Sequence, residues 1–197
     1  MRPEISDEYS YSHLLGLYLG DGCIDRRTWR LVFHFDSRYP TIIDTAEESM
    51  QIVALPTQVH RRSRTGSNVV ILESGWVRWP EYFPQAGPGR KHDRPIVLEP
   101  WQQAIVDREP HAFLRGLVES DGCRTVNRFK TKLPSGRVAE YAYPRYFFSN
   151  MSADIRGLFC ASCERIGVRW TQSNHRNISV AHRASVALLD EFIGPKA

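Results

Sequence analysis

Two aspartates lie one hundred residues apart in matching surroundings, Asp21 in Leu19-Gly20-Asp21-Gly22-Cys23 and Asp121 in Glu119-Ser120-Asp121-Gly122-Cys123. Carboxylates are hard oxygen ligands, and two brought close repel each other unless a cation compensates them. Mg²⁺ suits such oxygens together with nearby backbone carbonyls, here those of Gly20 and Ser120. Two cations held this way can stabilise the attacking and leaving oxygens in phosphodiester hydrolysis. A single Asp-Gly is more simply read as a helix end, because Gly at C′ is common there. Two copies with matched acids and matched small neighbours favour the chemical reading.

The elements that must position these acids follow from an internal repeat. LLGLYLGDGC from Leu14 returns as LRGLVESDGC from Leu114, and NVVILESGWVRWPEYF from Asn68 aligns without a gap on NISVAHRASVALLDEF from Asn177. Between these anchors WRLVFHF matches PRYFFSN, and the larger offset there marks an insertion in KTKLPSGRVAEYAY. In each copy small residues stand four apart, Gly16 and Gly20 in the first, Gly116 and Ser120 in the second. Residues at i and i+4 share one helix face. Two such faces can approach until their backbones nearly touch, bringing Asp21 and Asp121 together at a pseudo-twofold axis.

Periodicity predicts helix, two strands, helix, two strands, helix in each unit, an α+β fold of two pseudo-symmetric αββαββα units. The first unit, with its linker, is expected over residues 1–100: helices about Ser12–Asp21, Thr41–Val53 and Val77–Phe83, and strands near Ile24, Arg30–Phe35, Thr57–Ser63 and Val69–Ser74. The second is expected over 101–197, its first helix opening at Pro110, a residue suited to a first helical turn. Its strands are expected near Arg124–Lys132, Ala139–Ser149, Val168–Gln172 and Asn177–Val180, with helices about Ser152–Ile166 and Ala184–Phe192. QAGPGRKHDRPIVLEP, rich in Gly, Pro and basic residues, has the composition of a linker.

Charge points to an acidic partner without proving one: the net charge is +4, with 14 Lys and Arg against 9 Asp and Glu in the second half. Only Lys91, Lys130, Lys132 and Lys196 are lysines. There is no signal-peptide-like start and no apolar run of membrane-spanning length, so a cytoplasmic, bacterial-type protein without a membrane partner is expected. Cys160 and Cys163 have C-x-x-C spacing but fall on an amphipathic helix, where core packing is favoured over a zinc site that would need two further ligands.

On these residues the chain resembles the LAGLIDADG family, whose nine-residue signature aligns on LLGLYLGDG from Leu14 to Gly22 and on LRGLVESDG from Leu114 to Gly122. The resemblance implies saddle-shaped antiparallel sheets packed through the two signature helices, and a monomer carrying both halves with no obligate protein partner. It implies Asp21 and Asp121 as metal-binding acids, while the family's earlier acidic position is Leu19 in one copy and Glu119 in the other. The implied activity is Mg²⁺-dependent cleavage of both strands of a specific double-stranded DNA by a homing endonuclease, leaving 3′ overhangs. The resemblance also implies that Mn²⁺ can substitute and that Ca²⁺ permits binding without efficient cleavage. The family's basic residue near each active site aligns best with Lys91; Lys196 is a possible second, because both follow a Gly-Pro pair. Two other activities are known on this scaffold: DNA-binding regulation without catalysis, and RNA-splicing maturation. The absence of intein junction residues favours a freestanding protein, associated with the nucleoid through DNA.

DNA contacts are expected from alternating strand positions. Gln58, His60 and Arg62 form one set, Arg124, Arg128, Lys130 and Lys132 a second, Arg26, Arg30 and His34 a third, and Arg169, Thr171 and Ser173 a fourth. Such side chains reach phosphates or base edges, with Arg pairing well with guanine and Gln with adenine. An exposed polar sheet face is the simpler alternative for each set.

Overall fold

The computed structural model describes residues 3–55, 57–63 and 65–196. The first unit runs through α1 (Glu8–Gly20), β1 (Cys23–Asp25), β2 (Arg30–Asp36), α2 (Pro40–Val53), β3 (His60–Ser63), β4 (Val69–Gly75) and α3 (Trp79–Tyr82). A 3₁₀ turn at Lys91–Asp93 and α4 (Pro100–Arg108) connect it to the second unit. There follow α5 (Pro110–Asp121), β5 (Gly122–Lys132), β6 (Val138–Ser149), α6 (Ala153–Arg165), β7 (Thr171–Gln172), β8 (Asn177–Val180) and α7 (Arg183–Phe192). The two sheets have one topology, β1-β2-β4-β3 and β5-β6-β8-β7, with every neighbouring pair antiparallel. The expected α+β architecture of two pseudo-symmetric units is therefore present.

α1 begins at an Asp7 cap, whose carboxylate accepts from the Ser10 amide at 2.7 Å. From Ser10 to Leu19 every residue is buried, so the helix is enclosed on all sides rather than amphipathic. Its closest partner is α5, and the small residues explain the approach. A Cβ added at Gly16 would lie 2.5 Å from the Phe113 carbonyl oxygen, and one at Gly116 would collide with the His13 carbonyl oxygen. The helices meet backbone to backbone.

α4, which follows the expected linker, is not among the expected helices. Only Ile105 and Val106 are its buried apolar residues, a weak periodic signal, but Gln102 is fully buried beside them. The Gln102 amide donates to the Tyr11 hydroxyl at 2.8 Å and its oxygen accepts from Gln85 at 2.6 Å, which ties α4 to α1 and to the segment after α3. A capping box of Glu99 and Gln102 starts the helix. α3 is also shorter than the expected Val77–Phe83, one turn anchored by buried Trp79.

A buried polar network crosses the α1–α5 interface. His13 contacts Ser49 of α2 through Nδ1 at 2.9 Å and Glu119 of α5 through Nε2 at 2.7 Å, while Arg115 Nε donates to Glu119 at 2.7 Å. Burial alone would raise the Glu119 carboxyl, but His13 and Arg115 together hold it below its usual range. At the corresponding positions of the other half stand Phe113 and Leu19, so this network breaks the pseudo-symmetry. Cys160 and Cys163 are free, buried thiols on α6, and burial pushes Cys160 up to about 11.

Candidate active site and nucleic-acid interface

Asp21 and Asp121 stand where the α1 and α5 helices end, side by side because Gly20 and Ser120 allow it. A Cβ at Gly20 would overlap the Ser120 side chain and lie 3.1 Å from Asp121 Oδ2, so the second carboxylate reaches across the interface to the first helix. The Asp121 pKa is pushed up to about 6, first by burial and then by the charge of Asp21; Asn150, Lys91 and Lys196 oppose the rise. Asp21 is solvent-exposed, yet desolvation by the surrounding protein still raises its carboxyl against the pull of Lys196, Lys91 and His34. Both acids also lie at helix C-termini, whose dipoles disfavour negative charge.

Two of the four lysines converge here in pseudo-symmetric fashion. Lys91 Nζ donates to the carbonyl oxygens of Tyr18, Gly20 at 3.2 Å and Gly22 at 2.6 Å, and sits 4.7 Å from the Tyr18 ring centroid. It caps the end of α1. Lys196 Nζ donates to the Ser120 carbonyl at 3.2 Å and so caps the end of α5. Burial lowers the Lys91 ammonium to about 8 although Asp121 and Asp21 both hold it up; Lys196 is lowered by burial in the same way.

Each lysine opens a cavity on one side of the carboxylate pair. Lys91 shares its cavity, of about 500 Å³, with Asp121, Asn150, Arg94 and the exposed Cys23. Lys196 shares a smaller one with Asp21, His34, Glu119 and Ser120. Asn150 was not anticipated. Its amide donates to Asp121 Oδ2 at 2.6 Å, and in the repeat it occupies the place of Phe35, so only strand phase, not residue type, could have drawn attention to it. Arg94, hidden in the linker composition, adds a buried Nε without a hydrogen-bond partner to the Lys91 cavity.

The residues present fit a hard divalent cation. Asp21 and Asp121 are hard oxygen ligands, and the Gly20 and Ser120 carbonyl oxygens, which also accept from Lys91 and Lys196, are further oxygen donors of the expected kind. Among the described residues no group of three His, Cys, Asp or Glu side chains forms an alternative metal site.

Strand register decides which expected DNA contacts share the open face of each sheet. In the first, Leu31, Phe33 and Leu72 point to the core, so Arg30, His34, His60 and Arg62 stand on the opposite face, with exposed Gln58 beside them and Arg26 in the turn after β1. Glu73 joins this face, accepting from Arg30 at 3.2 Å and Arg62 at 2.7 Å. In the second sheet the core residues are Tyr146 and Phe148, which pair with Arg124 and Gly122. Arg124, Arg128, Lys130 and Lys132 therefore lie on the helix-side face, contrary to the expected common face. Arg124 is held there by both Asp190 oxygens of α7, at 2.7 and 2.9 Å, and Lys130 pairs with Glu140 at 2.5 Å. The open face of β5 instead carries Cys123, Thr125, Asn127, Phe129 and Thr131. Thr171 is on this open face, and exposed Arg169 and Ser173 flank it.

No family model and no curated protein matches the sequence. Solved structures do match in fold. The full-length DUF199/WhiA protein of Thermatoga maritima superimposes with a TM-score of 0.59 at 18% identity, over 98% of this chain and 57% of that one. The chain thus spans little more than half of that protein's length. The homing endonuclease I-DmoI, in complex with DNA and Mn, matches with a TM-score of 0.58 at 14% identity, over 95% of this chain and 97% of that one. LAGLIDADG meganuclease I-AabMI, bound to uncleaved DNA, gives 0.55 at 11% identity, over 92% and 82%. The chain has the LAGLIDADG pseudo-dimer fold. In this fold α1 and α5 are the paired central helices, and the two four-stranded sheets flank them.

Proposed function

We propose that the protein is a homing-type endonuclease of the LAGLIDADG family, a monomer that cuts both strands of a specific double-stranded DNA with Mg²⁺. The observation that carries this reading is the carboxylate pair itself. Asp21 and Asp121 are packed together at two helix ends at an electrostatic cost, and a DNA-binding surface alone gives no reason for that cost. Deprotonated, both acids would hold Mg²⁺ or Mn²⁺ with the carbonyls of Gly20 and Ser120; the cation supplies Lewis-acid charge to the attacking and leaving oxygens when bound.

The chain's own groups do the rest. Asn150 fixes the orientation of Asp121. Lys91 and Lys196, each beside one acid, stabilise negative charge on the phosphates and help position the attacking water. The polar open faces of the two sheets hold the duplex, with Arg30, His34, Gln58, His60 and Arg62 in the first unit and Asn127, Thr171 and their neighbours in the second. The I-DmoI and I-AabMI complexes with DNA support this placement by fold likeness.

A second reading, a DNA-binding protein without hydrolytic activity, draws on one observation. Lys91 and Lys196 already donate to the Gly20 and Ser120 carbonyls, so the site is charge-compensated without a cation. Duplexes selected from a random library in Ca²⁺, then exposed to Mg²⁺, separate the two. The endonuclease cuts them, and its Asp21→Asn/Asp121→Asn variant binds without cutting. Specific binding with no cleavage by the native protein would establish the second reading instead.

A further inference from the structure

We infer that the second unit recognises thymine-rich sequence through base methyl groups, using a platform of Phe129, Tyr141 and Tyr143. This rests on the duplex-DNA reading above and deepens it.

β5 and β6 extend as a two-stranded ribbon well beyond the rest of their sheet. Register pairs Phe129 with Tyr141 and Asn127 with Tyr143, which puts all three rings on the open face that begins at Cys123 beside Asp121. The rings are packed on one another: Phe129 and Tyr141 lie 5.3 Å apart, Tyr141 and Tyr143 6.0 Å, with interplanar angles of 27° and 14°. Phe129 is nevertheless 44% exposed and Tyr143 51%, and among the described residues Tyr9 is the one other exposed Phe, Tyr or Trp side chain. Such a patch calls for a partner.

The charge of the ribbon suits a polyanion: on the two strands the ring face carries Arg145 and no acidic residue, while Arg128 and Lys132 stand on the opposite face beside the Lys130–Glu140 pair. A two-stranded ribbon fits the DNA major groove, and the apolar feature presented there is the thymine C5-methyl group. Rings already stacked lose little freedom on contact. On the corresponding face of β1 to β4 the described residues include no Phe, Tyr or Trp, so the two halves of a target should be read by different chemistry.

The test uses duplexes selected in Ca²⁺ and resynthesised with deoxyuridine for thymine in one half at a time, which removes the methyl and keeps the base pair. Affinity should fall about three- to fivefold for each contacted thymine, the effect of one lost apolar group of that size, and only in one half. The Phe129→Ser/Tyr141→Ser/Tyr143→Ser variant should bind thymine and deoxyuridine duplexes alike. Specific binding that ignores deoxyuridine in both halves would overturn the inference and leave the DNA reading intact; failure to enrich any duplex would overturn both. The base substitution needs no protein variant, so misfolding cannot mask the outcome.

Discussion

The charge on Asp21 is, after burial, the main reason that the Asp121 carboxyl titrates near 6. The two acids come from helices whose glycines let their backbones touch, and each helix end is capped by a lysine from a distant segment. The site is held in a high-energy charge state by the fold around it.

Removing that charge should stabilise the protein. Asp121 binds a proton more readily when folded than unfolded, so its contribution to stability falls as pH rises from about 4 to about 6 and stays unfavourable above. Allowing for solvent screening, Asp121→Asn is expected to gain about 1 kcal/mol at pH 8, or roughly 2–4 °C in melting temperature for a chain of this size. Calorimetry without divalent cations checks this, and added Mg²⁺ should narrow the gap by stabilising the native protein alone. A lower melting temperature for the variant would show that Asp121 is structurally favourable.

Cleavage should follow a bell in pH. Its acid limb reflects deprotonation of Asp121, raised to about 6, and its alkaline limb loss of the Lys91 proton, lowered to about 8. Raising Mg²⁺ should move the acid limb downward, because the cation favours the deprotonated pair. Lys91→Arg, which keeps its charge, should retain more single-turnover rate at pH 9, relative to its own maximum, than the native protein does. An unshifted alkaline limb would remove Lys91 from that role.

The repeat made much of this site visible in advance. Asp21, Asp121, the small residues between the helices and the Gly-Pro pairs preceding Lys91 and Lys196 all stand in duplicated sequence, and duplication is a local signal. What stayed hidden depends on tertiary partners. α4 is held largely by Gln102, a polar residue that periodicity counts as surface. The face of β5 could not be assigned from alternation alone, since most of that strand is exposed on both sides and only its pairing with Tyr146 and Phe148 fixes the inside. Asn150 and the His13–Glu119 contact belong to one half only, so comparing halves could not reveal them.

That correction of β5 separates two arginines. Arg62→Ala should weaken duplex binding and reduce the slope of log affinity against log salt by about 1, as expected for one lost phosphate contact. Arg124→Ala should leave the slope unchanged and cost about 1–2 kcal/mol of stability, because its guanidinium serves Asp190. Salt titrations and urea unfolding of both variants check the assignment; the reverse pattern would place Arg124 on the DNA.

The buried network makes a further prediction. Glu119→Ala leaves His13 and Arg115 without their shared carboxylate, an expected loss of about 3–5 kcal/mol by urea unfolding at pH 7. Because the folded Glu119 pKa is depressed, its stabilising contribution is present above the ordinary glutamate range and is lost as pH falls through the folded value. The native and variant proteins should therefore converge in stability on acidification, and a constant gap down to pH 3 would contradict the assignment.

The most direct test of the carboxylate pair is a Mn²⁺ titration of the protein bound to a selected duplex, followed by loss of the free-ion paramagnetic resonance signal. The native complex should take up Mn²⁺ saturably, and Asp21→Asn/Asp121→Asn should bind the same duplex with that uptake abolished. Equal uptake by both complexes would mean that Asp21 and Asp121 do not hold the cation.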